Sequence, residues 1–135
     1  MYAMFRNCRL LKELDLSSFN TCNVTDMGCM FQNCGLLTEL DISNFNTSNV
    51  SNMYSLFYGC ISLKELDLSH FNTSNLVNYG YLFGACISLK KLNLTGWEKC
   101  DPEHSSLFHP PYNNLTVIWG ENDYETYFKD NDLNE

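Results

Sequence analysis

The seven cysteines and three histidines of this 135-residue chain are its candidates for metal or thiolate chemistry, and they fall into two patterns. Cys100, Asp101, Glu103, His104 and His109 have metal-like spacing, because zinc takes Cys and His donors held tetrahedrally by rigid elements. No second Cys-x-x-Cys or His-x-x-x-His supports that cluster, and Pro102, Pro110 and Pro111 mark the stretch as a stiffened polar loop, so no metal is expected there. Cys8, Cys34, Cys60 and Cys86 instead recur with a 26-residue period. Free cysteine acts as a small hydrophobe, so this column reads as a ladder of reduced thiols in a core. Cys22 and Cys29 occupy columns that hold Ser48, Ser74 and Ser55 elsewhere, and an odd total of seven leaves no complete intramolecular disulfide set. His70 shares its column with Ser18, Asn44 and Gly96, which reads as a tolerant surface position.

Acids recur too, but in rows rather than in a converging cluster. Glu13, Glu39, Glu65 and Lys91 form one row, Asp15, Asp41, Asp67 and Asn93 another, with Ser17, Ser43, Ser69 and Thr95 beside them and Lys12, Thr38, Lys64 and Lys90 at the edge. Like charges stacked at a strand spacing repel by roughly 1 kcal/mol per pair in water, so flanking Lys, solvent or a cationic partner must offset them. Three readings stay open: a solvated face balanced by the Lys row, a protein-binding face, and calcium bridging between Asp rungs. On the second, the partner-binding residues are Glu13, Asp15, Glu39, Asp41, Glu65, Asp67 and Lys91. A Gly-rich phosphate loop, a nucleophile elbow and a His-Glu-x-x-His are all missing, so neither an enzyme nor a cofactor is expected.

What positions these rows is an internal repeat. Leu14, Leu40, Leu66 and Leu92 share the same period, as do Leu16, Ile42, Leu68 and Leu94, and so do Phe5, Phe31, Phe57 and Phe83. A period of this length belongs to stacked arrays and falls in the leucine-rich-repeat range. Apolar and polar residues alternate around Leu14 and Leu16, which predicts short strands near 13–17, 39–43, 65–69 and 91–95. Val24, Met27, Met30, Phe31 and Cys34 then recur at three- and four-residue steps, which predicts a helical face of about ten residues. Between strand and helix lies Phe-Asn-Thr-Ser-Asn, written at Phe45 and Phe71 and nearly so at Phe19. Asn20, Asn46 and Asn72 are expected to form an amide ladder at this corner, and Asn23, Asn49 and Asn75, or the Ser before them, to cap the helix. The fold class expected is therefore an α/β solenoid of 26-residue strand-plus-helix turns with a parallel sheet.

The organisation expected is a solenoid over residues 1–97, a degenerate capping turn over 98–119 and an acidic tail over 120–135. Trp97 takes the Phe71 column, Leu107-Phe108 echoes Leu82-Phe83 with one residue of slippage, and Leu115 and Ile118 fall one full period beyond Leu89 and Leu92. At the other end Met1, Met4, Phe5 and Cys8 line up with Met27, Met30, Phe31 and Cys34, so an apolar surface is expected there, open to end-to-end stacking or to further turns of a longer array. The formal net charge of −8 is uneven: residues 1–97 hold seven acids against six Lys or Arg, and residues 98–135 nine against two. Six dispersed cations make no phosphate-binding face, which disfavours nucleic acid and anionic membrane surfaces as partners. No apolar run approaches the roughly 20 residues of a membrane span, and no secretory signal or anchor is visible.

Residues 1–97 resemble the BspA-like leucine-rich repeats of bacterial surface proteins. The resemblance rests on a 26-residue motif, Leu-x-x-Leu-Asp-Leu-Ser-x-Phe-Asn-Thr-Ser-Asn-Val followed by Met and Cys columns, as from Leu37 to Met53 and then at Leu56, Phe57 and Cys60. It implies a right-handed strand-and-helix coil in a cell-surface or secreted protein, with a role in adhesion or in binding host or neighbouring-cell proteins. The function expected is a non-enzymatic protein-binding module whose ligand is a host extracellular or cell-surface protein. The alternatives are a structural spacer in a longer repeat array and, least favoured, a metal-dependent enzyme.

Overall fold

The computed structural model describes residues 1–97, 106–109, 112 and 114–119, together with the backbone of 124–127. The 26-residue period survives as a stack of rungs, but not as the expected α/β solenoid. Among the described residues no helix forms, and regular strands are confined to a small sheet at one end. The leucine-rich-repeat reading of the fold is corrected accordingly.

The segment expected to be helical is a chain of overlapping β-turns. Met30 donates to the carbonyl of Met27, Gln32 to Cys29 and Cys34 to Phe31, each closing a three-residue step. The alternate amides leave the rung: Cys29, Phe31 and Asn33 donate to the carbonyls of Tyr54, Leu56 and Tyr58 of the next rung, at 2.8, 3.0 and 2.7 Å. Ser55, Phe57 and Gly59 repeat this one rung on, toward Gly80, Leu82 and Gly84. An α-helix would spend those amides on its own i−4 carbonyls. What prevents it is backbone of left-handed conformation twice in every rung, at Cys29 and Asn33 (φ 56° and 60°), Ser55 and Gly59, and Tyr81 and Ala85. The apolar spacing of three and four is therefore real, but it belongs to successive turns that each return the chain to the core.

The strand side differs from rung to rung. β1 (Glu65–Asp67), β2 (Lys91–Asn93) and β3 (Leu115–Ile118) pair in parallel, and β4 (Tyr124–Tyr127) pairs antiparallel with β3. The strands expected near 13–17 and 39–43 are not formed. Among the described residues, the backbone groups of Glu13, Leu14, Asp15, Glu39, Leu40 and Asp41 make no inter-rung hydrogen bond. Leu14 and Leu40 are accordingly half-exposed, whereas Leu66 and Leu92 are buried.

The core runs along the stack axis. Phe5, Phe31, Phe57 and Phe83 lie nearly parallel at centroid spacings of 5.8, 5.8 and 6.0 Å, and Phe108 continues the column at 5.6 Å. Beside them the thiols of Cys34, Cys60 and Cys86 donate to the carbonyls of Phe5, Phe31 and Phe57. Phe45 and Phe71 plug the corner, where the ladder is carried by threonine rather than by the expected asparagines. Buried Thr47 donates its hydroxyl to Asn72 O and accepts from Asn72 N, as Thr21 does with Asn46. Asn46 and Asn72 instead accept from Ser48 and Ser74 two residues on, closing local turns. The side-chain amides of Asn49 and Asn75 cross rungs, to Cys22 O and Ser48 O, so these residues are struts and not helix caps.

The last rung is one residue short over part of its length. Tyr81 donates to Ser106 O, but Phe83, two residues further along its rung, donates to Leu107 O, the very next carbonyl, which is the slippage visible in the sequence. The strand register keeps that shortening, so Leu92 pairs with Val117 and not with Ile118. No helix long and apolar enough to cross a membrane occurs among the described residues.

Candidate partner-binding face

The seven residues expected to bind a partner all lie on the strand side, and each is exposed. An open groove of about 550 Å³ is lined by Glu13, Asp15, Glu39, Asp41 and Glu65 over a floor of Leu14 and Leu40. A second groove, of about 250 Å³, brings Glu65 and Asp67 together with Lys91 and Asn93 beside Leu40, Leu66 and Ile118. The two share Glu65 and Leu40, so one continuous surface runs from an all-acidic end to an end with a cation.

The aspartates are held by the turn that ends each strand segment. Asp41 Oδ1 accepts from Ser43 N at 3.0 Å and Ser43 Oγ at 2.7 Å, and Asp67 Oδ1 from Ser69 N and Oγ at 2.9 and 2.7 Å. Asp15 accepts from Ser17 N, and Asn93 repeats the pattern with Thr95. The serine hydroxyls hold the carboxyls of Asp15, Asp41 and Asp67 below the ordinary value, with the serine amides adding to this; at Asp67 the Asn93 side chain contributes as well, and His70 acts on both Asp41 and Asp67. They are thus fixed negative charges, immobilised at no cost in side-chain freedom to an incoming ligand. Glu13, Glu39 and Glu65 accept no hydrogen bond from the described residues, and so are the adaptable members of the face.

Among the described residues no group of three or more His, Cys, Asp or Glu is placed to hold a metal ion. Of the cluster Cys100, Asp101, Glu103, His104 and His109, only His109 lies within the described residues; its ring stands edge-on to Tyr81 at 5.8 Å. The six described cysteines are free, and burial pushes the Cys34 and Cys86 thiols up to about 11 and about 12 and Cys60 well above the ordinary value. Such thiols are poor nucleophiles at neutral pH.

Two features escaped the sequence reading. His70 is a fixed strut, its Nε2 2.9 Å from Ile42 O, where a carbonyl requires a protonated ring nitrogen. Asn44 serves the equivalent carbonyl of Leu16, and in the next rung, where the column holds Gly96, the Trp97 indole reaches Leu68 O at 2.9 Å. Tyr112 likewise takes the cysteine column, its hydroxyl donating to Phe83 O. On the opposite side a groove of about 470 Å³ is lined by Tyr2, Arg6, Gln32, Tyr54, Tyr58 and Tyr81. Glycine in the following rung makes room for two of these rings: a Cβ at Gly28 or Gly84 would lie 3.3 or 2.5 Å from Tyr2 or Tyr58. The Tyr and Gly alternation at positions 2, 28, 54 and 80 was the available signal.

No curated protein and no solved structure matches the chain. A family model does, over residues 1–109, and its description is "Mycoplasma protein of unknown function, DUF285". That match takes in all the stacked rungs up to His109 and replaces the BspA-like leucine-rich-repeat assignment suggested by the motif: the chain belongs to the DUF285 family.

Proposed function

We propose that the chain is a non-enzymatic protein-binding module, which docks a Lys- or Arg-rich segment of a protein ligand on the strand face formed by Glu13, Asp15, Glu39, Asp41, Glu65, Asp67 and Lys91. On this reading the parent protein works at the bacterial surface or outside the cell, where the ligand is a host extracellular or cell-surface protein and the role is adhesion. The observation that carries the proposal is the groove of about 550 Å³, in which five exposed carboxylates stand over two half-exposed leucines. Complementary charge raises association rate and fixes register, while an apolar floor supplies the area that holds the complex together.

The test uses charge reversal at the glutamates, because Asp41 and Asp67 also anchor turns. Wild type should bind immobilised extracellular-matrix proteins saturably and more weakly at high salt. Glu39→Lys with Glu65→Lys should abolish that binding while leaving the unfolding midpoint within a few degrees. Binding that survives the double reversal places the ligand elsewhere, and no saturable binding by wild type favours a spacer role.

A further inference from the structure

Leu16, Ile42, Leu68 and Leu94 are one column, yet their amides divide into two pairs. Leu68 N donates to Asn93 O at 2.9 Å and Leu94 N to Ile118 O at 2.7 Å, while Leu16 N and Ile42 N have no backbone partner among the described residues. The apolar positions cannot explain this, since all four rungs carry Leu or Ile in both strand columns and Ser or Thr after them. Charge does separate them. At the three outward positions Lys12, Glu13 and Asp15 carry −1, Thr38, Glu39 and Asp41 carry −2, Lys64, Glu65 and Asp67 carry −1, and Lys90, Lys91 and Asn93 carry +2. The first two interfaces bring negative rungs against negative rungs; the third brings −1 against +2, and there the strands pair in register, Glu65 with Lys91 and Asp67 with Asn93. Among the described residues His70, which acts on Asp41 and Asp67, is the further titratable group at the second interface, and it does not close it.

We infer that the strand side of the stack is an electrostatic zipper: like-charged rungs keep residues 13–16 and 39–42 out of the sheet, and neutralising them lets both segments join β1 as parallel strands. The face then has two forms. One is open, with unpaired strand backbone beside the carboxylates, and the other is closed, with the groove over Leu14 and Leu40 shut. Raised ionic strength drives the second, since it screens the repulsion that separates the rungs, whereas a ligand seated in the groove over Leu14 and Leu40 holds the first.

Native-state hydrogen exchange, read amide by amide without any ligand, tests this independently of the proposed function. Glu39→Lys with Asp41→Asn transplants the residues of rung four onto rung two, and Asn93 shows that asparagine supports the turn that Asp41 makes. Ile42 N should then exchange at least about tenfold more slowly than in wild type. The converse variant, Lys91→Glu with Asn93→Asp, should speed exchange at Leu68 N by a similar factor. In wild type, 1 M salt, where the Debye length falls to about 3 Å, should slow Ile42 N in the same direction as the first variant. Unchanged exchange at Ile42 N in both the transplant and high salt overturns the inference, as does unchanged exchange at Leu68 N in the converse variant.

Discussion

The two sides of the stack are built from the same 26-residue unit and are closed by different means. On the turn side each rung donates a row of amides to the next, so cohesion there is independent of what the outward side chains carry. On the strand side, among the described residues of the first four rungs, pairing forms only where Lys91 and Asn93 replace an acid. The difference teaches that in a stack whose backbone is already held along one wall, the opposite wall is free to be decided by surface charge.

The largest effect that separates the two walls comes from the column between them. Phe57 is fully buried between Phe31 and Phe83, and Phe57→Ala should cost about 3–5 kcal/mol in urea unfolding, whereas Glu39→Ala on the open wall should stay within about 0.5 kcal/mol. Comparable losses at both would mean that the strand side is as closed as the core. Next in size is the corner: Thr47→Val keeps the shape but leaves Asn72 N and O without their hydroxyl partner, a loss of about 1–3 kcal/mol in the same assay.

The cysteine column gives a pH signature on the alkaline side, opposite to that of the aspartates on the open wall. Burial raises Cys34 to about 11 and Cys86 to about 12 from an ordinary 9.0, so the folded state holds these protons more tightly than the unfolded chain. Stability is therefore complete below pH 9 and falls as pH rises from about 9 toward 12. Thermal midpoints from pH 7 to 11 should show that fall, less steeply in Cys86→Ala, while alkylation at pH 8 should label exposed Cys8 and Cys22 and spare Cys34, Cys60 and Cys86. Equal labelling of all described cysteines would contradict a closed core. The smallest effect belongs to Asp15, Asp41 and Asp67. Their lowered values mean that stability is complete above the ordinary carboxylate range and is lost as pH falls through the folded values, a slight loss that Asp41→Asn should reduce further.

Much of this was written in the periodicity. Columns of Leu, Phe and Cys announced the stack, the Asp and Glu rows announced an exposed acidic row, and the gap near Phe108 announced the short last rung. The helix was misread because turns closing at three-residue steps and a helix of 3.6 residues per turn place apolar residues alike. Only the left-handed backbone at Cys29, Ser55 and Tyr81 tells them apart, and those residue types do not advertise it, though Asn33 and Gly59 in the neighbouring column do. Likewise the amide ladder was assigned to Asn46 and Asn72, whose spacing to Ser48 and Ser74 favours local turns, while buried Thr21 and Thr47 carry the rungs. His70 reads as tolerant beside Ser18, Asn44 and Gly96, because only the fold brings Asn44, His70 and Trp97 to equivalent carbonyls.

Hydrogen exchange in the unmodified protein tests the contrast between the walls most directly. At low salt the amides of Phe31 and Phe57 on the turn side, and of Leu68 and Leu94 on the paired part of the strand side, should be protected at least about a hundredfold more than those of Leu16 and Ile42. Equal protection across Leu16, Ile42, Leu68 and Leu94 would show a continuous sheet and contradict the open wall.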